Sequence, residues 1–302
     1  MGAGAIGCLF GIYLHRSGQQ VLLIHHRRQV VDYLRRTGLT LVEKSGKVLR
    51  YRIPVKQFLS TRDNPDLVIL TVKAYDTESS AIHLGRVLGD QTTVLSLQNG
   101  LGNVETLSKH LPRHKIIAGS TTEPALLTRP GFVKHTGSGV TWLGEYRGKS
   151  SKLSNLIKRI FQRAGLQTQS GADIERVIWS KAIVNSAINP VAALARVSNG
   201  EIPKIPHLKA ASLLLLSEGV AVARARRVRP APPPRGLFSR ILESTRTNRS
   251  SMLRDIESGR KTEINELNGK ISSYAKRRGI SAPCNSIITD LVLGLETSGT
   301  RS

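Results

Sequence analysis

Gly2-Ala3-Gly4-Ala5-Ile6-Gly7 opens the chain and has the spacing G-x-G-x-x-G. In a dinucleotide-binding βαβ unit the first glycine permits a tight turn and the second lets a pyrophosphate approach the backbone. The third lets helix and strand pack closely, and the helix N-terminus presents a favourable dipole. Glycine-rich turns are common, so the spacing alone is a weak signal. Its surroundings strengthen it: a helical stretch, Gly7 to Ser17, follows, and then an apolar β-like run, Val21 to His25. A strand should precede the motif, yet only Met1 stands there. That strand is central in a doubly wound sheet, so the fold is expected with its first strand missing, as from a shortened start.

Further along, Leu67 to Val72 and Thr92 to Leu97 are near-continuous apolar runs, as parallel strands covered on both faces require. A helical stretch, Thr77 to Leu88, lies between them, and this alternation is the βαβ signature of an open parallel sheet. Ile116 to Ser120, Gly131 to Thr136, Val140 to Gly144 and Leu166 to Ser170 read as further short strands, with a helix over Lys152 to Ala164. From Asp173 the pattern is helical: Asp173 to Ala195, His207 to Arg227, Leu237 to Ser258, Glu263 to Arg278 and Cys284 to Glu296. Prolines and glycines punctuate these segments. The expected class is α/β: a Rossmann-like dinucleotide-binding domain over residues 1–172, then an all-α domain over 173–302.

The 302 residues carry 45 Lys+Arg against 21 Asp+Glu, a net charge of +24, with 39% hydrophobic residues. Such a chain buries real cores, which excludes global disorder. Two cysteines, Cys8 and Cys284, cannot build a disulfide framework, and the eight histidines show no metal spacing, so no metal is assigned. The apolar stretch Ala210 to Ala223 falls short of a membrane span, and no signal peptide pattern opens the chain. The positive charge suits an anionic partner, but aromatics at 4% give few stacking platforms for nucleic acid. Its densest cluster, Arg224 to Arg235 with four interspersed prolines, reads as a solvated helix end and loop.

Two further patterns carry chemistry. The run after the second strand, His25-His26-Arg27-Arg28, has no acid before Asp32, whereas an NAD site usually places Asp or Glu there for the ribose hydroxyls. Cations at that point favour a 2′-phosphate, and hence NADPH. In the helical half, Lys181, Asn185 and Asn189 are spaced i, i+4, i+8, so they share one helix face amid Ile183, Val184, Ala187, Ile188 and Val191. A polar stripe in so apolar a helix must find partners or line a cavity.

Taken in order, GAGAIG, TVKAYD, LQNGLGN, WSKAIVNSAINPVAAL, NRSSMLRDI and KTEINELNGKI resemble the ketopantoate reductase (2-dehydropantoate 2-reductase) family over almost the whole chain. The resemblance implies NADPH-dependent reduction of 2-dehydropantoate to (R)-pantoate, on the route to pantothenate and coenzyme A. It implies Lys181 as the catalytic proton donor, with Glu263 ordering the lysine and substrate hydroxyls. It implies substrate binding by Asn99, Asn185, Asn189, Asn248 and Ser251. For the cofactor it implies Gly2, Ala3, Gly4, Ala5, Ile6 and Gly7, with Arg27, Lys73, Asn99 and Glu263. A related NAD(P)H dehydrogenase of another keto acid and an inactive nucleotide-binding paralogue are the rival readings. The expected partner is a small anionic keto acid, in the cytoplasm or a mitochondrion, with a homodimer possible and no membrane or nucleic acid.

Overall fold

The computed structural model describes residues 1–146, 148, 151–171 and 173–299; the expected boundary at 172 and part of the polar stretch 147–154 lie outside them. The first part of the chain contains α1 (Ala5–Arg16), β1 (Leu23–Ile24), α2 (Arg28–Thr37), β2 (Leu39–Val42), β3 (Val48–Tyr51) and β4 (Val55–Lys56). It continues with β5 (Leu67–Leu70), α3 (Thr77–Val87), β6 (Thr93–Ser96), α4 (Asn103–Leu107) and β7 (Ile116–Thr121). Then come β8 (Ala125–Arg129), β9 (Phe132–His135), β10 (Thr141–Gly144), α5 (Lys152–Arg163) and β11 (Thr168–Ser170). The helical part holds α6 (Ile174–Ala195), α7 (Pro206–Ala225), α8 (Pro234–Ser244), α9 (Ser251–Glu257), α10 (Lys270–Arg277) and α11 (Pro283–Gly299). The chain divides into two compact units, Met1–Gln98 with Asn103–Ile174, and Asn99–Gly102 with Glu175–Ser302.

In the first unit a five-stranded sheet runs β11-β10-β7-β6-β5 and a two-stranded one pairs β1 with β4. Strands β5, β6 and β7 are parallel, as their continuous apolar character predicts, but β10 joins β7 antiparallel, so the sheet is mixed rather than wholly parallel. The cause is the excursion between β7 and β10. Strands β8 and β9 leave to build a second sheet, β3-β2-β9-β8, and β10 returns in the opposite direction. Met1 donates its amine to Ile69 O at 2.6 Å and accepts from Thr71 N at 2.9 Å, while Gly2 N donates to Ile24 O at 3.0 Å. Through these two residues the backbone is bonded to β5 on one side and to the end of β1 on the other.

Helix α1 is apolar almost all round because it is packed on two sides. Cys8, Leu9 and Ile12 meet Leu23, Val31, Leu34 and Leu41, while Phe10 and Leu14 meet Leu95, Ile117, Ile157 and Phe161. Cys8 is fully buried and burial pushes its thiol up to about 12, which makes it an inert packing residue. Near the end of α1, Tyr13 is hydrogen-bonded to His135 Nδ1 and His135 Nε2 to Glu123, each at 2.9 Å, so a buried polar relay ties β9 to the helix.

The second unit is built around α6, which is 22 residues long and apolar enough by length and composition to cross a membrane, with 78% of that window buried inside the protein. Its Ala182, Ile183, Val184, Ala187, Ile188 and Val191 pack against α7, α9, α10 and α11 through Leu215, Val222, Met252, Leu253, Ile271 and Ile288. Helix packing thus explains the hydropathy of α6.

Two expected helices are broken. The stretch 237–258 is not continuous: α8 ends at Ser244 and α9 begins at Ser251. In the interval Asn248 O and Arg246 O accept from Asn199 N and Gly200 N, and Ser250 caps α9 by accepting from Leu253 N at 3.1 Å. The stretch 263–278 opens with a π-turn, Asn265–Gly269, before α10. The Arg/Pro-rich segment is also more than a solvated loop. The Arg226 guanidinium stacks 3.9 Å from the Tyr274 ring centroid and 5.8 Å from that of Trp179. Arg176 Nε donates to Arg229 O at 2.7 Å, and Ser180 Oγ donates to Pro232 O. The segment therefore straps the turn of α6 that carries Lys181.

Candidate active site

The glycine loop turns directly into α1, with Gly4 as the N-cap and no side-chain cap or acidic residue over the first turn. The three glycines have different roles. Gly2 has φ +99°, and a Cβ there would lie 2.6 Å from Val72 N. A Cβ at Gly7 would lie 2.1 Å from Gly2 O, so this position sets the close packing of turn on helix. Nothing lies within 4 Å of a Cβ built on Gly4, which leaves the open helix end accessible to an anion. Thr71 Oγ1, at the end of β5, donates to Gly2 O at 2.8 Å and holds the loop from beneath.

Beyond β1, Arg27 is the exposed N-cap of α2 and makes no ion pair among the described residues. Asp32, the nearest acid, is engaged within α2 by Arg28 at 3.7 Å and Arg35 at 3.9 Å. Its rings stacked 4.9 Å apart, the His25–His26 pair lies just before them, and burial holds His25 below the usual imidazole range. Lys73 precedes the short turn Ala74–Asp76 after β5. A loop with an open helix end and an exposed guanidinium beyond β1 fits a phosphorylated dinucleotide.

The second unit holds the polar stripe. Asn185, Asn189, Ser251, Asp255, Glu263 and Asn99 line one small pocket, closed on its apolar side by Met252 and Leu267. Asn99 reaches it because the segment Asn99–Gly102 belongs to this unit, held by Leu101 N donating to Glu266 O at 2.9 Å. Gly100, with φ +86°, permits this turn, since a Cβ would lie 2.8 Å from Glu266 O. Lys181 joins the set through Asn99, whose Oδ1 accepts from Lys181 Nζ at 2.9 Å. Burial pulls the Lys181 ammonium down from 10.5 to about 8, and the Glu263 carboxylate opposes that shift.

Of the residues singled out in the sequence, Asn99, Asn185, Asn189, Ser251 and Glu263 are brought together here. Asn248 is not among the lining residues: it is exposed on the loop before α9, its backbone carbonyl taken by Asn199 N. Sequence reasoning missed Asp255, which is 4% exposed and paired with Arg260 at 3.1 Å. It stands four residues after Ser251, one turn along α9, so helical spacing from Ser251 would have found it. Among the described residues no three His, Cys, Asp or Glu gather as a metal site.

This arrangement can deliver a proton from a desolvated lysine beside neutral carboxamides, with a separate loop suited to a dinucleotide. The family model described as ketopantoate reductase PanE/ApbA matches residues 1–148, and the model for its C-terminal part matches residues 173–296. A 2-dehydropantoate 2-reductase of Pyrococcus abyssi is 38% identical over 299 residues, covering 98% of this chain and 96% of the relative. Among solved structures, a PanE/ApbA family ketopantoate reductase from Ralstonia eutropha is similar with a TM-score of 0.91 at 30% identity, over 99% of this chain and 98% of that one. D-mandelate dehydrogenase with NADH and anilino(oxo)acetate gives 0.93 at 29% identity, over 99% and 97%. With both parts matched and relatives of this identity along its whole length, the chain belongs to the ketopantoate reductase family.

Proposed function

We propose that Lys181 is the proton donor in the reaction this chain carries out, the NADPH-dependent reduction of 2-dehydropantoate (ketopantoate) to (R)-pantoate in pantothenate biosynthesis. The observation that carries this reading is the hydrogen bond from Lys181 Nζ to Asn99 Oδ1 at 2.9 Å, in a buried setting that brings the lysine to about 8. Reduction adds a hydride to the ketone carbon and a proton to its oxygen. NADPH supplies the hydride when bound. Lys181 stabilises the negative charge that builds on the oxygen and then releases its proton to it, which leaves a neutral amine. Asn99 Oδ1 accepts from Nζ and so fixes the direction of the ammonium.

Asn185, Asn189 and Ser251 hold the keto acid by hydrogen bonds that add no charge to the pocket. Glu263, 7% exposed, keeps the lysine protonated and orders the substrate hydroxyl. Gly2 to Gly7 receive the pyrophosphate and Arg27 the 2′-phosphate, and Lys73, Asn99 and Glu263 are the further cofactor-binding residues of this reading. We further propose, as separate calls, that the substrate is a small anionic keto acid, that the protein works in the cytoplasm and that it forms a homodimer. Light scattering on the purified chain checks the dimer.

A second reading, an NADH-dependent reductase of another 2-keto acid, is favoured by the likeness to D-mandelate dehydrogenase. One assay separates the two. The absorbance of NADPH and of NADH is followed with ketopantoate and with an aryl keto acid. Ketopantoate-dependent oxidation of NADPH is the expected result; oxidation only of NADH, only with the aryl keto acid, overturns it.

A further inference from the structure

Helix α6 contains a proline, Pro190, directly after Asn189. Proline has no N–H, so the carbonyl four residues earlier, that of Ser186, loses its helical donor. Ser186 is fully buried, where an unsatisfied carbonyl is costly and water cannot replace the bond. The structure supplies the donor from elsewhere: Asn268 Nδ2 donates to Ser186 O at 2.9 Å, across 82 residues of sequence. Asn268 is itself fully buried, within the π-turn that precedes α10. That turn adds a residue to the helical ring, and such turns are frequent at functional sites.

Its amide direction is fixed by its neighbours. Nδ2 also donates to Asn285 Oδ1 at 3.0 Å. Asn285 spends its own amide hydrogens on Leu215 O at 3.2 Å and Glu218 Oε2 at 2.7 Å, so its oxygen is the end that faces Asn268. Both partners of the Asn268 amide are thus acceptors, and the donor end must face them. Ser186 lies between Asn185 and Asn189, the two carboxamides that α6 contributes to the pocket. The open carbonyl is therefore in the same turn as these side chains, and whatever holds it sets their height and direction.

We infer that Asn268 is a positioning residue for the substrate pocket: its Nδ2–H replaces the hydrogen bond that Pro190 removes from α6 and so holds Asn185 and Asn189 in place. Asn268 itself does not line the pocket. The inference rests on the reductase reading, and the test keeps the two apart.

The experiment is a cycle of Asn268→Ala, Pro190→Ala and the double variant, each read by steady-state kinetics with ketopantoate and NADPH, by NADPH titration and by thermal melting. Wild-type turnover with ketopantoate checks the reductase reading by itself. Given that turnover, Asn268→Ala should raise the KM for ketopantoate about tenfold, as loss of one buried hydrogen bond implies, with NADPH affinity unchanged. Pro190→Ala restores a backbone N–H to the helix at that position, so adding Asn268→Ala to it should raise KM less than about threefold. If Asn268→Ala does not fold alone, recovery of a cooperative melt in the Pro190→Ala background supports the inference equally. An unchanged KM overturns it, as does a defect, in KM or in folding, that is just as large in the Pro190→Ala background. In that case Asn268 would act only through Asn285 as core packing.

Discussion

Lys181 Nζ donates to Asn99 Oδ1 at 2.9 Å, which joins α6 to the segment after β6 and presents the ammonium beside the pocket of carboxamides. The acceptor in this bond is neutral, and burial keeps the lysine near 8.

The first consequence is a pH limb. As the proposed donor, Lys181 must be protonated, and below about 8 it mostly is. The rate of ketopantoate reduction should therefore fall as pH rises through about 8, nearly tenfold per unit beyond it. A pH profile of kcat/KM with NADPH saturating checks this; a rate flat from about 8 to about 10, between the shifted and the usual lysine values, contradicts it.

Asn99 should set where that limb falls. Asn99→Asp puts a carboxylate on the ammonium and favours its charged form, so the limb should move upward by about a unit or more. Asn99→Leu removes the acceptor and should move it down. The same pH series on the two variants reads both shifts, and coincident profiles would take Asn99 out of this role.

Removing Lys181, the proposed proton donor, should affect chemistry and spare cofactor binding. Lys181→Ala is expected to lower kcat by about 10²–10⁴-fold, the usual contribution of a positioned acid. NADPH affinity, measured by fluorescence titration, should stay the same. A variant with near wild-type turnover would show that the proton comes from elsewhere.

The glycine loop yields a contrast within one motif. A Cβ at Gly7 would stand 2.1 Å from Gly2 O, whereas one at Gly4 meets nothing within 4 Å. Gly7→Ala should lower the melting temperature of the free protein. Gly4→Ala should leave it unchanged and weaken NADPH binding, because the added methyl occupies the space a pyrophosphate needs. Equal melting temperatures for the two variants would refute the division of labour.

Arg27 tests the choice of cofactor. Arg27→Ala should weaken NADPH binding by about tenfold, as for loss of one charge-assisted contact to phosphate, with little effect on NADH. Titration of both nucleotides decides it.

Much of this was legible locally. The period of the apolar runs marks α1, α3, α5, α6, β5, β6 and β7 because each forms from neighbours in sequence that bury one or both faces. The split of 237–258 was not legible, since there Asn248 O accepts from Asn199 N and Arg246 O from Gly200 N, far back in the chain. Neither was the second sheet, whose β2 pairs with β9 only after the rest of the first unit has brought them together.

By itself, then, the sequence determined the glycine loop, the alternation that builds the sheet and the spacing that lines Lys181, Asn185 and Asn189 along one helix face. Helical and strand periodicity are properties of consecutive residues, so they survive without a structure. Only the tertiary structure decided that Asn99 bonds Lys181, that Asp255 joins the pocket, that Arg226 to Pro232 brace α6 and that Asn268 closes the carbonyl Pro190 leaves open. Each is a demand of a buried polar or aromatic group, and its partner comes from whichever distant segment packing brings within reach.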